Sequence, residues 1–186
     1  TPSFASPLAP EGTVTFAPVD EAGQPVAGAQ LFAGHYQARA VPVADTAANT
    51  SLPTTVSLVP GTYEFIARAP GRGLVRTGPV TVAAGQNVAL PVAMPTNLAS
   101  ATAGATATGD GVNIARLIDD NEATNWGSWT RPVEGKGVVV DLAGDGQLVS
   151  RVQVSAMLRP EIIGDPDAGP QNRFTALRQF RVLACN

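Results

Sequence analysis

Glycine and proline interrupt this chain so often that no regular element can run far. Nineteen glycines and sixteen prolines fall among 186 residues, and the runs between them are short and rich in Val and Thr. Proline breaks helix interiors and central strands, and glycine weakens both, so this punctuation favours many short strands joined by turns. Hydrophobic residues make up 44% of the chain, ample for buried cores and too many for a disordered tail. The expectation is an all-β protein. At 186 residues it has room for one large or two small domains.

Residues 1–10 hold Pro2, Pro7 and Pro10 with no periodicity and read as a linker. From residue 11 the pattern changes. Val14 and Phe16 alternate with threonines, as on a strand with one buried face, and Asp20 to Gly23 turns the chain. Pro25 to Phe32 suggests a second strand, residues 33–52 carry no assignable pattern, and Thr54 to Leu58 suggests a third. In Val59-Pro60-Gly61-Thr62, Pro60 sets φ and Gly61 is expected to take the positive φ of a type II turn. Tyr63, Phe65 and Ala67 alternate inward before Ala69-Pro70-Gly71 ends the strand, and runs at 78–82 and 87–92 complete six or seven strands. The markers Gly12 to Val14, Gly23 to Ala29 and Pro60 to Tyr63 come in the order of the carboxypeptidase-regulatory-like (transthyretin-like) family, which this part resembles. The resemblance implies a transthyretin-like β-sandwich over 11–95, of a kind that serves as spacer or adhesion module without catalytic residues.

Met94-Pro95-Thr96-Asn97 marks a boundary. Beyond it, Leu117 to Trp129 gathers four consecutive oxygen-bearing side chains, three of them acids, a Thr hydroxyl and two Trp into one stretch. Asp and Asn favour turns over helix interiors, so a compact loop is expected. Converging carboxylate, amide, hydroxyl and backbone carbonyl oxygens suit a hard cation such as calcium, and equally a metal-free turn capped by side chains. Asp119, Asn121, Thr124, Trp126 and Ser128 resemble the loop of discoidin-like (coagulation-factor C-type, galactose-binding-like) domains. That resemblance implies a jelly roll over 97–186, with a structural calcium held by Asp119, Asn121, Thr124 and the Leu117 carbonyl, and with Trp126 packed under the sheet. Asp120 stands where the family has Gly, and so either adds a ligand or loses a positive-φ turn. Asn97-Leu98-Ala99 resembles the family's entry strand and Val138 to Leu142 its buried central strand. Val112 to Leu117 reads as a short helical turn and Gly144-Asp145-Gly146 as a hairpin turn. Val152, Val154, Ala156 and Leu158 form one face of a further strand, and Phe180 to Leu183 a closing one. The fold expected for the whole chain is two tandem β-sandwiches.

The residues argue against an enzyme. The chain has one His, His35, and one Cys, Cys185, and lacks the zinc-protease, serine-hydrolase and phosphate-loop motifs. Glu161, Asp165 and Asp167 read as a solvated acidic loop. A net charge of −3 with no basic stripe argues against nucleic acid, and no apolar run reaches the roughly 18 residues of a membrane helix. A single Cys permits no internal disulfide. No charged or hydrophobic leader opens the sequence, which reads as a piece cut from a longer chain.

Binding is the better expectation. In discoidin-like sandwiches ligands meet the loops at one end, which makes Trp129, Arg131, Arg159, Asn172 and Arg173 the candidates for gripping a glycan or protein surface. Trp129 serves as sugar platform or merely covers a sandwich end. The two units together, with Asp119 to Trp126, Val152 to Leu158 and Gln171 to Arg178, resemble the C-terminal region of secreted bacterial metallopeptidases of the fungalysin type. The resemblance implies an extracellular bacterial accessory region whose zinc and catalysis lie in an upstream domain. Its role is attachment, or else that of a plain spacer and stabilising cap.

Overall fold

The computed structural model describes residues 10–33, 42–46, 53–121, 124–128, 132, 134–155 and 179–184. Within these, regular structure is all-β apart from two short 3-10 helices. Strand β1, Gly12–Val19, alternates buried and half-buried residues along its whole length, placing Val14 and Phe16 in the core at 0% exposure. Its other face is polar. The Thr15 and Thr55 hydroxyls meet at 3.0 Å, and both Thr13 and Thr15 donate to Asn87 Oδ1 at 2.9 Å.

The remaining strands of this part are β2 (Gln30–Ala33), β3 (Ala44–Asp45), β4 (Thr54–Leu58), β5 (Gly61–Tyr63), β6 (Phe65–Arg68), β7 (Val75–Arg76), β8 (Val80–Val82) and β9 (Asn87–Ala93). One sheet runs β4-β1-β9, with β9 parallel to β1, and a second runs β3-β2-β6-β7, antiparallel throughout. Strands β5 and β8 form a third, two-stranded sheet. Val14, Phe16, Leu90 and Val92 of the first sheet share a single core with Leu31, Phe65 and Ala67 of the second. That is a β-sandwich, as expected. On the opposite face of the second sheet Phe32 and Ile66 are also buried, with the Arg68 guanidinium 5.3 Å above the Phe32 ring.

Several details differ from the sequence reading; Tyr63 to Ala67, read as one alternating strand, divides between β5 and β6, which lie in different sheets. The second strand starts at Gln30 instead of Pro25, because Asp20 Oδ1 collects the Ala22 and Gln24 amides and Val26 N returns to Pro18 O, prolonging the turn. Gly61 has no positive φ: it opens β5, paired with Val82, so the Pro60 turn closes without a left-handed residue.

The link after β9 is held in place. Gly73 N donates to Pro95 O at 2.8 Å and Asn97 N to Gly71 O at 2.9 Å, so 95–97 runs as a short ribbon along 71–73. Beyond it, Ser100 is fully buried and caps a 3-10 helix at Ala101–Ala103, where the sequence suggested an entry strand. Local capping by the Ser100 hydroxyl wins there over strand pairing. Strands β10 (Thr106–Gly109) and β11 (Val138–Asp141) then pair antiparallel, and the second 3-10 helix, Ile114–Leu117, falls where a helical turn was expected.

The expectation that β11 is buried on both faces fails. Val139 is 60% exposed, because among the described residues β11 has β10 as its one neighbour. Residues 151–155 and 179–184 are in no strand, and Val152, Val154, Phe180, Val182 and Leu183 are exposed. Alternation predicts a strand only where a partner ladder exists to complete it. Ala156 and Leu158 lie outside the described residues.

Candidate functional site

The oxygen-rich loop begins where the Ile114–Leu117 helix stops. Ile118 is buried, and its carbonyl accepts the Ala101 amide at 2.7 Å, which pins the start of the loop. Asp119 Oδ1 accepts Asn121 N at 3.0 Å, and Asp119 Oδ2 accepts the Thr124 hydroxyl at 2.7 Å. That hydroxyl also lies 2.9 Å from Asn121 O, and Thr124 N donates to the same carbonyl at 3.2 Å. Three of the expected donors, Asp119, Asn121 and Thr124, therefore bring oxygens together. Leu117, whose carbonyl is the fourth, ends the helix two residues before Asp119.

The donor set is entirely oxygen, the chemistry of a hard cation. Calcium–oxygen distances of 2.3–2.6 Å place neighbouring ligands about 3 Å apart, comparable to the spacing of these three atoms. The same contacts also satisfy the Asp119 carboxylate without a cation.

Asp120 follows neither course expected of it. It keeps the positive φ, at 55°, and its carboxylate leaves the loop. It accepts Gly71 N at 2.9 Å, Asn97 Nδ2 at 2.8 Å and the Ser100 hydroxyl. Charge-assisted bonds of this kind are about twice as strong as neutral ones. Asp120 thus ties the loop to the turn after β6, where Gly71 sits at φ 72°.

A second carboxylate grips the same turn from the other side. Glu21 accepts Thr96 N and the Arg72 guanidinium, the latter at 3.0 Å. The Thr96 backbone amide, helped by Glu21's own amide, the Thr96 hydroxyl and Arg72, holds the Glu21 carboxyl below the usual carboxylate range.

Trp126 is half-buried and lies beside the Val112–Gly127 bridge, outside the buried core. Its Nε1 donates to Asp110 O at 2.8 Å, and Gly127 bridges Val112. Gly111, at φ 96°, allows this approach: a Cβ there would come within 2.6 Å of Trp126 Nε1.

The candidate ligand residues Trp129, Arg131, Arg159, Asn172 and Arg173 lie outside the described residues, as do His35, Cys185, Glu161, Asp165 and Asp167. Among the described residues no three His, Cys, Asp or Glu side chains cluster to hold a metal. An open groove of about 420 Å³ between Val75 to Val80 and β9 carries no ionisable side chain. A smaller one of about 340 Å³ is lined by Leu74, Val75, Arg76, Arg151, Val152 and Gln153, a juxtaposition that the sequence pattern did not suggest. No protein-family model matches the chain, and a search of curated proteins finds no match. Among the described residues no helix is long and apolar enough to cross a membrane.

Proposed function

We propose that this chain is a non-catalytic accessory module of a secreted bacterial protein, attaching it to a carbohydrate, a protein substrate or a cell surface. On this reading residues 1–10 are a linker, 11–95 a carboxypeptidase-regulatory-like sandwich and 97–186 a discoidin-like jelly roll. The parent is a metallopeptidase of the fungalysin type whose catalytic domain lies upstream. The observation that carries the reading is the convergence of Asp119, Asn121 and Thr124 oxygens in a loop with Trp126 close behind. Calcium held there, with the Leu117 carbonyl, would supply fixed positive charge that orders the loop. The chain's own part is to supply Trp129, Arg131, Arg159, Asn172 and Arg173, an aromatic ring to stack on a sugar and guanidinium or amide groups to bond hydroxyls. Retention of the protein on insoluble polysaccharides and matrix proteins tests this directly. Loss of retention in Trp129→Ala supports it; unchanged retention on every surface removes the platform.

A second reading has its own observation. Asp119 is already bonded to Asn121 and Thr124, and Asp120 is spent on the junction, so the loop is also what a metal-free stabilising cap requires. In that case the chain is a spacer and cap for an upstream domain and binds no soluble ligand.

A further inference from the structure

We propose that the cleft between β7 and residues 151–153 is a binding site for an acidic saccharide, a uronate or a sulfated sugar. The cleft joins the two parts of the chain: Leu74, Val75 and Arg76 form one wall, Arg151, Val152 and Gln153 the other. Its volume of about 340 Å³ falls at the lower end of the range for small-ligand sites, enough for one or two sugar rings. Among the described residues two arginines line it and no acid does. Neither Arg76 nor Arg151 forms an ion pair among the described residues, although the chain carries a net charge of −3. Two guanidinium-bearing side chains lining one cleft repel each other, and an anion between them relieves that repulsion.

The chemistry of the lining narrows the anion. Guanidinium is planar and forked, matching carboxylate and sulfate with paired hydrogen bonds. The Gln153 amide both donates and accepts, as a hydroxyl-bearing ring requires. Leu74, Val75 and Val152 offer an aliphatic wall for the C–H face of such a ring. An acidic peptide competes for the same guanidinium groups, and competition by polyglutamate separates it from a saccharide.

One wall of the site is built in advance. The cleft's first wall follows directly on the Gly71–Gly73 ribbon that Asp120 and Pro95 hold in place. The Arg151 guanidinium already reaches over Gly73, at 3.8 Å from where a Cβ would stand. Preorganisation lowers the entropy lost on binding. None of the residues lining this cleft belongs to the sugar-platform reading, so the proposal does not rest on it.

The experiment is affinity electrophoresis of the whole chain in gels containing polygalacturonate, heparin or a neutral galactan. Retardation is expected in the two acidic gels and not in the neutral one, weakening as salt rises. Arg76→Ala and Arg151→Ala should each lower the affinity by roughly tenfold or more, the loss of a charge-assisted pair, with circular dichroism unchanged. Unchanged retardation in the double arginine variant overturns the site. Equal competition by polyglutamate overturns the saccharide and leaves general charge attraction.

Discussion

The Asp120 carboxylate accepts the Gly71 backbone amide at 2.9 Å, from a residue 49 positions away in the sequence. With Asn97 and Ser100 on the same carboxylate, this one side chain fastens the oxygen-rich loop, the link and the sandwich turn to each other. Asp120→Ala strips the acceptor from three donors, and a hydrogen bond to a charged group contributes about 1.5–3 kcal/mol. Cleavage through a locally opened state follows the population of that state. Trypsin should therefore cut after Arg72 roughly tenfold faster or more in Asp120→Ala. Cleavage after Arg68, inside β6, serves as the internal reference for global unfolding. Equal rates after Arg72 in the two proteins would show that the turn is held by its backbone ribbon alone.

Glu21 makes the junction sensitive to acid. Its folded pKa is lowered, chiefly by the Thr96 amide, so it contributes stability that is fully present above the unfolded carboxylate pKa. That contribution is lost as pH falls through the lower, folded value. Glu21→Gln should melt lower than the parent at pH 7, and the difference should shrink progressively below about pH 4.5, the ordinary value. Melting curves of both proteins across acid pH check it. The side chain is 56% exposed, which keeps the effect small.

Phe16 is the test of the sandwich core. It is fully buried between the two sheets, and its removal leaves a cavity that β-strands on both sides cannot close. Phe16→Ala should cost about 3–5 kcal/mol, read as a lower denaturant midpoint at similar slope. Thr15→Ala, on the outer face of the same strand, should cost under about 1 kcal/mol.

The sandwich was legible because its strands alternate: β1, β4 and β9 fall where Val14, Val56 and Leu90 sit in every-second-residue patterns. What alternation does not carry is partnership. The parallel pairing of β9 with β1 depends on which edges meet in three dimensions, and nothing in either strand announces it. The exposure of Val139 has the same origin, since an apolar run is buried only if something covers it. The loop was visible as a cluster of oxygens, but consecutive aspartates look alike in sequence. Asp119 closes its own loop while Asp120, at φ 55°, turns its carboxylate towards Gly71. Arg76 and Arg151 stand too far apart in the chain for any motif to join them.

Calcium separates the two readings of the loop, because a metal-free cap and a cation site share the same contacts when empty. A cation that binds the folded state alone raises stability by mass action, about 2.7 kcal/mol at one hundred times its dissociation constant. On the binding-module reading, millimolar calcium should raise the melting temperature and excess chelator should lower it, with magnesium a poorer substitute because it demands shorter, octahedral contacts. Asp119→Ala should abolish the calcium shift, while Asp120→Ala should lower the melting temperature yet keep the shift, since its carboxylate points to Gly71 and away from the loop oxygens. A shift that survives Asp119→Ala would place the ion elsewhere. Identical melting with calcium and with chelator would leave the contacts among Asp119, Asn121 and Thr124 to close the loop without a cation and favour the spacer-and-cap role.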